Sequence, residues 1–260
     1  MKDLSKTIRT VFLTAVFAGL MTTTNLFPQA NDLLSKVREN NIDAVKALIA
    51  AGADVNQEDD MMGYTPLNLT QDVEMIKVLI SAGADINHRD KRTGYTPLMM
   101  SLNGSSIEVA KTLIEEGADF RIKANDGATA LILACGCSED IARLLLEKGA
   151  DINARTDRGM GVFTQCINVG IPREAVSYEF AEFLLSKGAS VDETNTGGYY
   201  GGYTPLFWAV EKGDEKLVGF LIKHRANVNA KSDKQKTPLS IATEAGNENI
   251  IKLLKAAGAK

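Results

Sequence analysis

"GADINHRDKRTGYTPLMM", Gly83 to Met100, holds two phrases whose recurrence decides the fold. The first, Gly-Ala-Asp, starts at Gly52, Gly83, Gly117 and Gly149, and weaker copies start at Gly188, Arg225 and Gly258. The intervals are 31, 34, 32, 39, 37 and 33 residues. The second phrase keeps step as Thr65-Pro66-Leu67, Thr96-Pro97-Leu98, Thr129-Ala130-Leu131, Thr204-Pro205-Leu206 and Thr237-Pro238-Leu239. Self-similarity at such a period marks stacked units, each one supersecondary element.

One unit reads directly. Thr caps the free N–H groups of a first turn, and Pro suits the first helical position, where its missing N–H is not needed. A short helix, a turn and a second amphipathic helix follow, the last exemplified by Asp140 to Lys148. Gly149 then ends that helix as a left-handed cap. The polar segment after each Gly-Ala-Asp, such as Ile152 to Gly159, is expected to project as a finger-like hairpin. Two such helices cannot bury their own apolar face, so the units must stack, each touching its neighbours.

These phrases in register resemble the ankyrin repeat over residues 31–260. The resemblance implies an all-α repeat solenoid of about seven helix-turn-helix units, with fingers on one edge and inter-helix turns on the other. Residues 31–61 are expected to form an N-terminal capping unit and 234–260 a C-terminal one, leaving no room for a second domain. One departure is uniform. The His that follows Thr-Pro-Leu in the family is Asn68, Met99, Ile132, Phe207 and Ser240 here, so a less rigid stack is expected.

The first thirty residues differ from the rest. Lys2, Lys6 and Arg9 precede an apolar run from Val11 to Met21, the layout of a secretory signal peptide. The run is short for a membrane span, which takes about 20 apolar residues. Ala30 is the candidate cleavage point, and an uncleaved N-terminal anchor is the alternative reading. An exported protein, periplasmic or secreted, is therefore expected. Losing Lys2, Lys6, Arg9 and Asp3 takes the formal charge from −4 to −6. No basic cluster offers a face to phosphates, so a nucleic-acid partner is not expected. Hydrophobic content of 45% and charged content of 24% fit a folded chain, and a monomer is expected.

Irregular units carry the specific expectations. Twelve residues separate Leu67 from Leu79, against fifteen from Leu98 to Leu113, so the second unit must be trimmed in its first helix or turn. Gly159-Met160-Gly161-Val162-Phe163 stands where Gly-x-Thr-Pro-Leu is expected, so that unit loses both cap and proline. It also holds extra residues within Asn168 to Tyr178, read as a second helix lengthened at its start from Pro172. The finger from Gly188 to Gly202 spans fourteen residues, against eleven at Gly52–Gly63 and Gly83–Gly94. Its excess is Tyr199-Tyr200 with flanking glycines.

Chemistry-bearing residues are sparse. The two histidines, His88 and His224, lie several units apart, and no nucleophile-elbow, phosphate-loop or zinc-helix motif is present. An enzyme is not expected, nor any cofactor or metal. Cys135, Cys137 and Cys166 support a rival thiol-redox reading, and acidic finger residues such as Asp59-Asp60 a small-ligand or metal one. The favoured expectation, implied by the resemblance, is a scaffold that binds a protein partner through its concave face and fingers. Candidate contacts are Tyr64, Tyr95 and Tyr203, which precede Thr-Pro-Leu, and Tyr199 and Tyr200, with Arg89, Lys91, Arg92 and Arg158 at the rim. Trp208 is expected in the core.

Overall fold

The computed structural model describes residues 30–169 and 177–260. The leader expected at residues 1–30 lies outside them except for Ala30. Seven helix pairs follow one another among the described residues. The pairs are α1 (Ala30–Arg38) with α2 (Ile42–Ala50), α3 (Pro66–Leu69) with α4 (Val73–Ser81), α5 (Pro97–Asn103) with α6 (Ile107–Glu115), and α7 (Ala130–Cys135) with α8 (Glu139–Glu147). They continue as α9 (Val162–Val169) with α10 (Tyr178–Ser186), α11 (Pro205–Glu211) with α12 (Glu215–Lys223), and α13 (Pro238–Glu244) with α14 (Glu248–Ala256). First helices pack on first helices and second on second, which makes the all-α solenoid that the phrases imply.

Local chemistry explains the boundaries. The Oγ1 atoms of Thr96, Thr129 and Thr237 accept the N–H of the residue three places on, with Pro next to Thr96 and Thr237. Six second helices are capped alike by Asn41, Asp72, Ser138, Ser177, Asp214 and Asn247, and each is nine residues long. First helices vary, and the trimmed one, α3, has four residues. Leu67, Leu98, Leu131, Leu206, Phe163 and Phe180 are shut from solvent between neighbouring pairs. Each such side chain contributes about 1.5–3 kcal/mol when fully buried.

Where the family's His is missing, two solutions appear. Asn68 Oδ1 accepts from the Thr65 N–H and hydroxyl, and Ser240 Oγ accepts from the Thr237 N–H. Met99, Ile132 and Phe207 instead bury apolar bulk.

The degenerate unit corrects one expectation. Ser177 caps α10, so the helix starts at Tyr178 with the common length rather than reaching back to Pro172; residues 170–176 lie outside the described residues. The lost cap is replaced from the next unit. The Thr164 N–H, which a Thr at position 161 would have capped, donates to the Glu193 carboxylate. Gly161 makes room for it, because a Cβ there would collide with that carboxylate. Arg155 stands 4.0 Å away. Burial dominates the Glu193 carboxyl and raises its pKa, against the Thr164 hydrogen bonds and the Arg155 charge, which lower it.

Removing the acceptor strands a buried N–H, so Glu193→Ala is expected to cost about 1–3 kcal/mol in urea unfolding at neutral pH. Glu193→Gln keeps an acceptor without the charge and costs less. The raised pKa means that the folded protein holds a proton the unfolded chain has released as pH climbs above the ordinary glutamate range. Wild-type stability then falls relative to Glu193→Gln through that window. A Glu193→Ala protein as stable as wild type excludes the capping role.

Candidate functional site

Successive fingers are tied by one backbone hydrogen bond each. Lys91 N–H donates to Met62 O, Asn125 to Thr93, Asp157 to Asp126, Thr196 to Arg158 and Asp233 to Gly201, all at 2.7–2.9 Å. In the fingers around Asn125 and Asp157 the donor of one bond and the acceptor of the next are adjacent residues. In the long finger they are Thr196 and Gly201, so Gly197 to Tyr200 bulges out between two intact rungs. Gly197 and Gly198 make that excursion with φ of 66° and 67°, a region where a side chain is strained. The finger still closes at its base, where Asn195 N–H donates to Tyr203 O as Asp59 and Asp90 do to Tyr64 and Tyr95.

The bulge presents aromatic rings. Tyr199 is 65% exposed and Tyr200 39%, while Tyr203 is only 5% exposed. Tyr199 meets Tyr200 edge-on at 4.9 Å between centroids, and Tyr200 lies 4.5 Å from Trp208 and 5.2 Å from Tyr203. Tyr203 stacks on Phe207 at 4.7 Å. Two expectations are thereby corrected. Tyr203 is a buried support rather than a contact residue, and burial, ahead of the Glu211 charge, pushes its hydroxyl pKa to about 12. Trp208 is half-buried against the insert, not enclosed in the core. Polar atoms nearby are left short: Asn195 Oδ1, Thr204 Oγ1 and Trp208 Nε1 have no protein partner. They are three of the six such buried atoms among the described residues. Buried polar groups are normally paired, so these atoms take water or a ligand as partner.

The other candidates divide. Tyr95 and Arg158 come together at a concave-face cavity of about 400 Å³, with Ile132, Leu133, Met160 and Gln165. Tyr64 is half-buried one unit away from Tyr95. Arg89 and Lys91 are occupied within the stack: Arg89 Nη2 donates to Asn125 Oδ1 at 2.9 Å, and Lys91 Nζ pairs with Glu58 at 2.5 Å. Arg92 and Arg158 are exposed at the finger edge. Of the acidic pair, Asp59 accepts the Met62 and Tyr64 N–H groups and pairs with Arg38 at 3.1 Å. Among the described residues no three metal-ligating side chains converge. Sequence reasoning missed Glu193 and Trp208 as shaping residues; for Glu193 the available signal was an acid in a finger directly after a unit lacking its Thr.

Residues 68–156 and 173–260 match the family model for ankyrin repeats in three copies. A protein of Borreliella burgdorferi described as an ankyrin repeat protein is 31% identical over 78 residues. That stretch covers 30% of this chain and 34% of the relative, so the chain spans about a third of the relative's length. Among solved structures, the ankyrin repeat domain of Bcl-3, a member of the IkappaB protein family, is similar with a TM-score of 0.67. It is 26% identical, and the match covers 86% of this chain and 97% of that one.

The cysteines are free, Cys135 and Cys166 buried and Cys137 half-buried. Burial pushes Cys135 well above the usual thiol range, Cys166 to about 12 and Cys137 to about 11. Since the thiolate is the reactive form, these groups are quiet at neutral pH. An aromatic disulfide reagent is expected to leave Cys135 and Cys166 unmodified in the native protein and to titrate all three after denaturation. Prompt native labelling of either restores the redox reading.

Proposed function

This chain belongs to the ankyrin repeat family, and from that premise we propose that it is a non-enzymatic recognition protein that binds a protein partner through its fingers and concave face. Ankyrin arrays generally serve as protein–protein interaction modules. The observation that carries the reading is the excursion of Tyr199 and Tyr200 between two unbroken finger-to-finger bonds. Tyrosine supplies broad contact area with little side-chain freedom to lose, and flanking glycines let a loop adapt, a composition that paratopes share. The cavity beside Tyr95 and Arg158 extends the proposed surface along the concave face.

Export is part of the same proposal, supported by the basic and then apolar order of the first thirty residues. N-terminal sequencing of the chain recovered from its source is expected to begin at Asn31. A chain retaining its leader in the membrane fraction shows an anchor instead.

Partner capture by wild type is compared with capture by a Tyr199→Ser/Tyr200→Ser variant of matched thermal stability. Loss of interface hot-spot tyrosines lowers recovery of the same partner by about tenfold or more. Equal recovery by both proteins rejects the insert as the binding element.

A further inference from the structure

We infer that the insert docks a basic segment of its partner, seating a lysine or arginine side chain on the Tyr199 ring in the place that Lys234 now holds. This rests on the reading of the insert as a recognition surface and adds the chemistry of what it recognises.

The chain itself demonstrates the contact. Lys234, reaching over from the next finger, places Nζ 3.6 Å from the Tyr199 ring centroid, the shortest cation–ring distance among the described residues. A ring face attracts a cation through its quadrupole, and the attraction is weak where both groups are wet. Tyr199 and Lys234 are both exposed, so this ammonium is readily exchanged for another. The edge-on Tyr199–Tyr200 pair, at 81°, turns two ring faces in different directions, which gives an incoming segment more than one seat.

The surrounding charge is mixed, with Lys234 and Lys236 beside the insert as well as the Glu211 and Glu244 carboxylates. The Glu211 and Glu244 carboxylates both act on Tyr203, the buried ring beneath the insert. Glu244 is paired with Lys236 at 2.6 Å, whereas exposed Glu211 forms no ion pair among the described residues. Glu211 thus remains as an anchor for a second cation of the incoming segment. A formal charge of −4 for the whole chain steers basic ligands toward it.

Trp208 is the one tryptophan in the chain and lies 4.5 Å from Tyr200, so its fluorescence reports occupancy of the insert. The whole protein is titrated with a short peptide alternating arginine and glycine, then with its glutamate counterpart and with a proline-rich peptide. Only the arginine peptide is expected to shift the emission, with an affinity that weakens as salt rises. Tyr199→Ser weakens it about fivefold or more, while Tyr199→Phe, which keeps a ring face, stays within about twofold. Lys234→Ala tightens binding more than Lys231→Ala, which removes the same charge from the same finger without clearing a ring. Binding of the proline-rich or glutamate peptide in preference, equal binding by Tyr199→Ser, or no binding of the arginine peptide overturns the inference. In the last case, partner capture that still fails for the double serine variant leaves the insert as the recognition surface with a different ligand chemistry. Capture unaffected by that variant removes the surface itself.

Discussion

The rungs that tie Met62 to Lys91, Thr93 to Asn125, Asp126 to Asp157, Arg158 to Thr196 and Gly201 to Asp233 fix how far each unit stands from the next. Each joins a backbone donor of one finger to a backbone acceptor of the finger before it, a contact that only water could replace. Side chains reinforce them: Asn56, Asn87, Asp192 and Asn229 each accept the N–H of the residue that ends the next Gly-Ala-Asp phrase or its variant. A finger must therefore supply one donor and one acceptor at set places. What lies between these two groups is unconstrained, and the long finger spends its extra residues there.

The same logic governs the degenerate unit. A helix start leaves N–H groups that need acceptors, and a unit without Thr at that place has none of its own. Glu193 supplies the acceptor from the following finger, through space that only a glycine at position 161 leaves open. In a stack where each unit touches its neighbours, this makes the fifth pair's first helix depend on the sixth unit being folded. A weakness in one repeat is thereby turned into coupling between two.

The phrases Gly-Ala-Asp and Thr-Pro-Leu sufficed to read the helix pairs, because each encodes a local event: a helix end or a helix start. Trimming of α3 was legible for the same reason, as a shortfall between two leucines of one unit. Contacts between units were not legible. Tyr203 and Tyr95 occupy equivalent places before Thr-Pro, yet Tyr203 is buried because Phe207, Tyr200 and Trp208 surround its ring. Trp208 shares its position with Leu69, Met100 and Leu133, all half-buried on the concave side, so its apolar character misled about depth. The finger cations Arg89 and Lys91 looked free because Asn125 and Glu58, their partners, sit in neighbouring fingers.

The aromatic insert gains its meaning from what holds it. Tyr203 on Phe207 and Trp208 under Tyr200 form a floor, so the ring of Tyr200 is placed before any partner arrives, and less rotational freedom is lost on binding. Tyr199 rests on Tyr200 and under Lys234, contacts weak enough to be exchanged. Function on loops carried by a rigid scaffold is a general arrangement. Here the division is drawn within a single finger, where the rungs at Thr196 and Gly201 belong to the scaffold. The residues between them make no backbone bond to a neighbouring finger, and the Trp208, Thr204 and Asn195 atoms that lack protein partners are tolerated by a framework whose remaining contacts hold it in place.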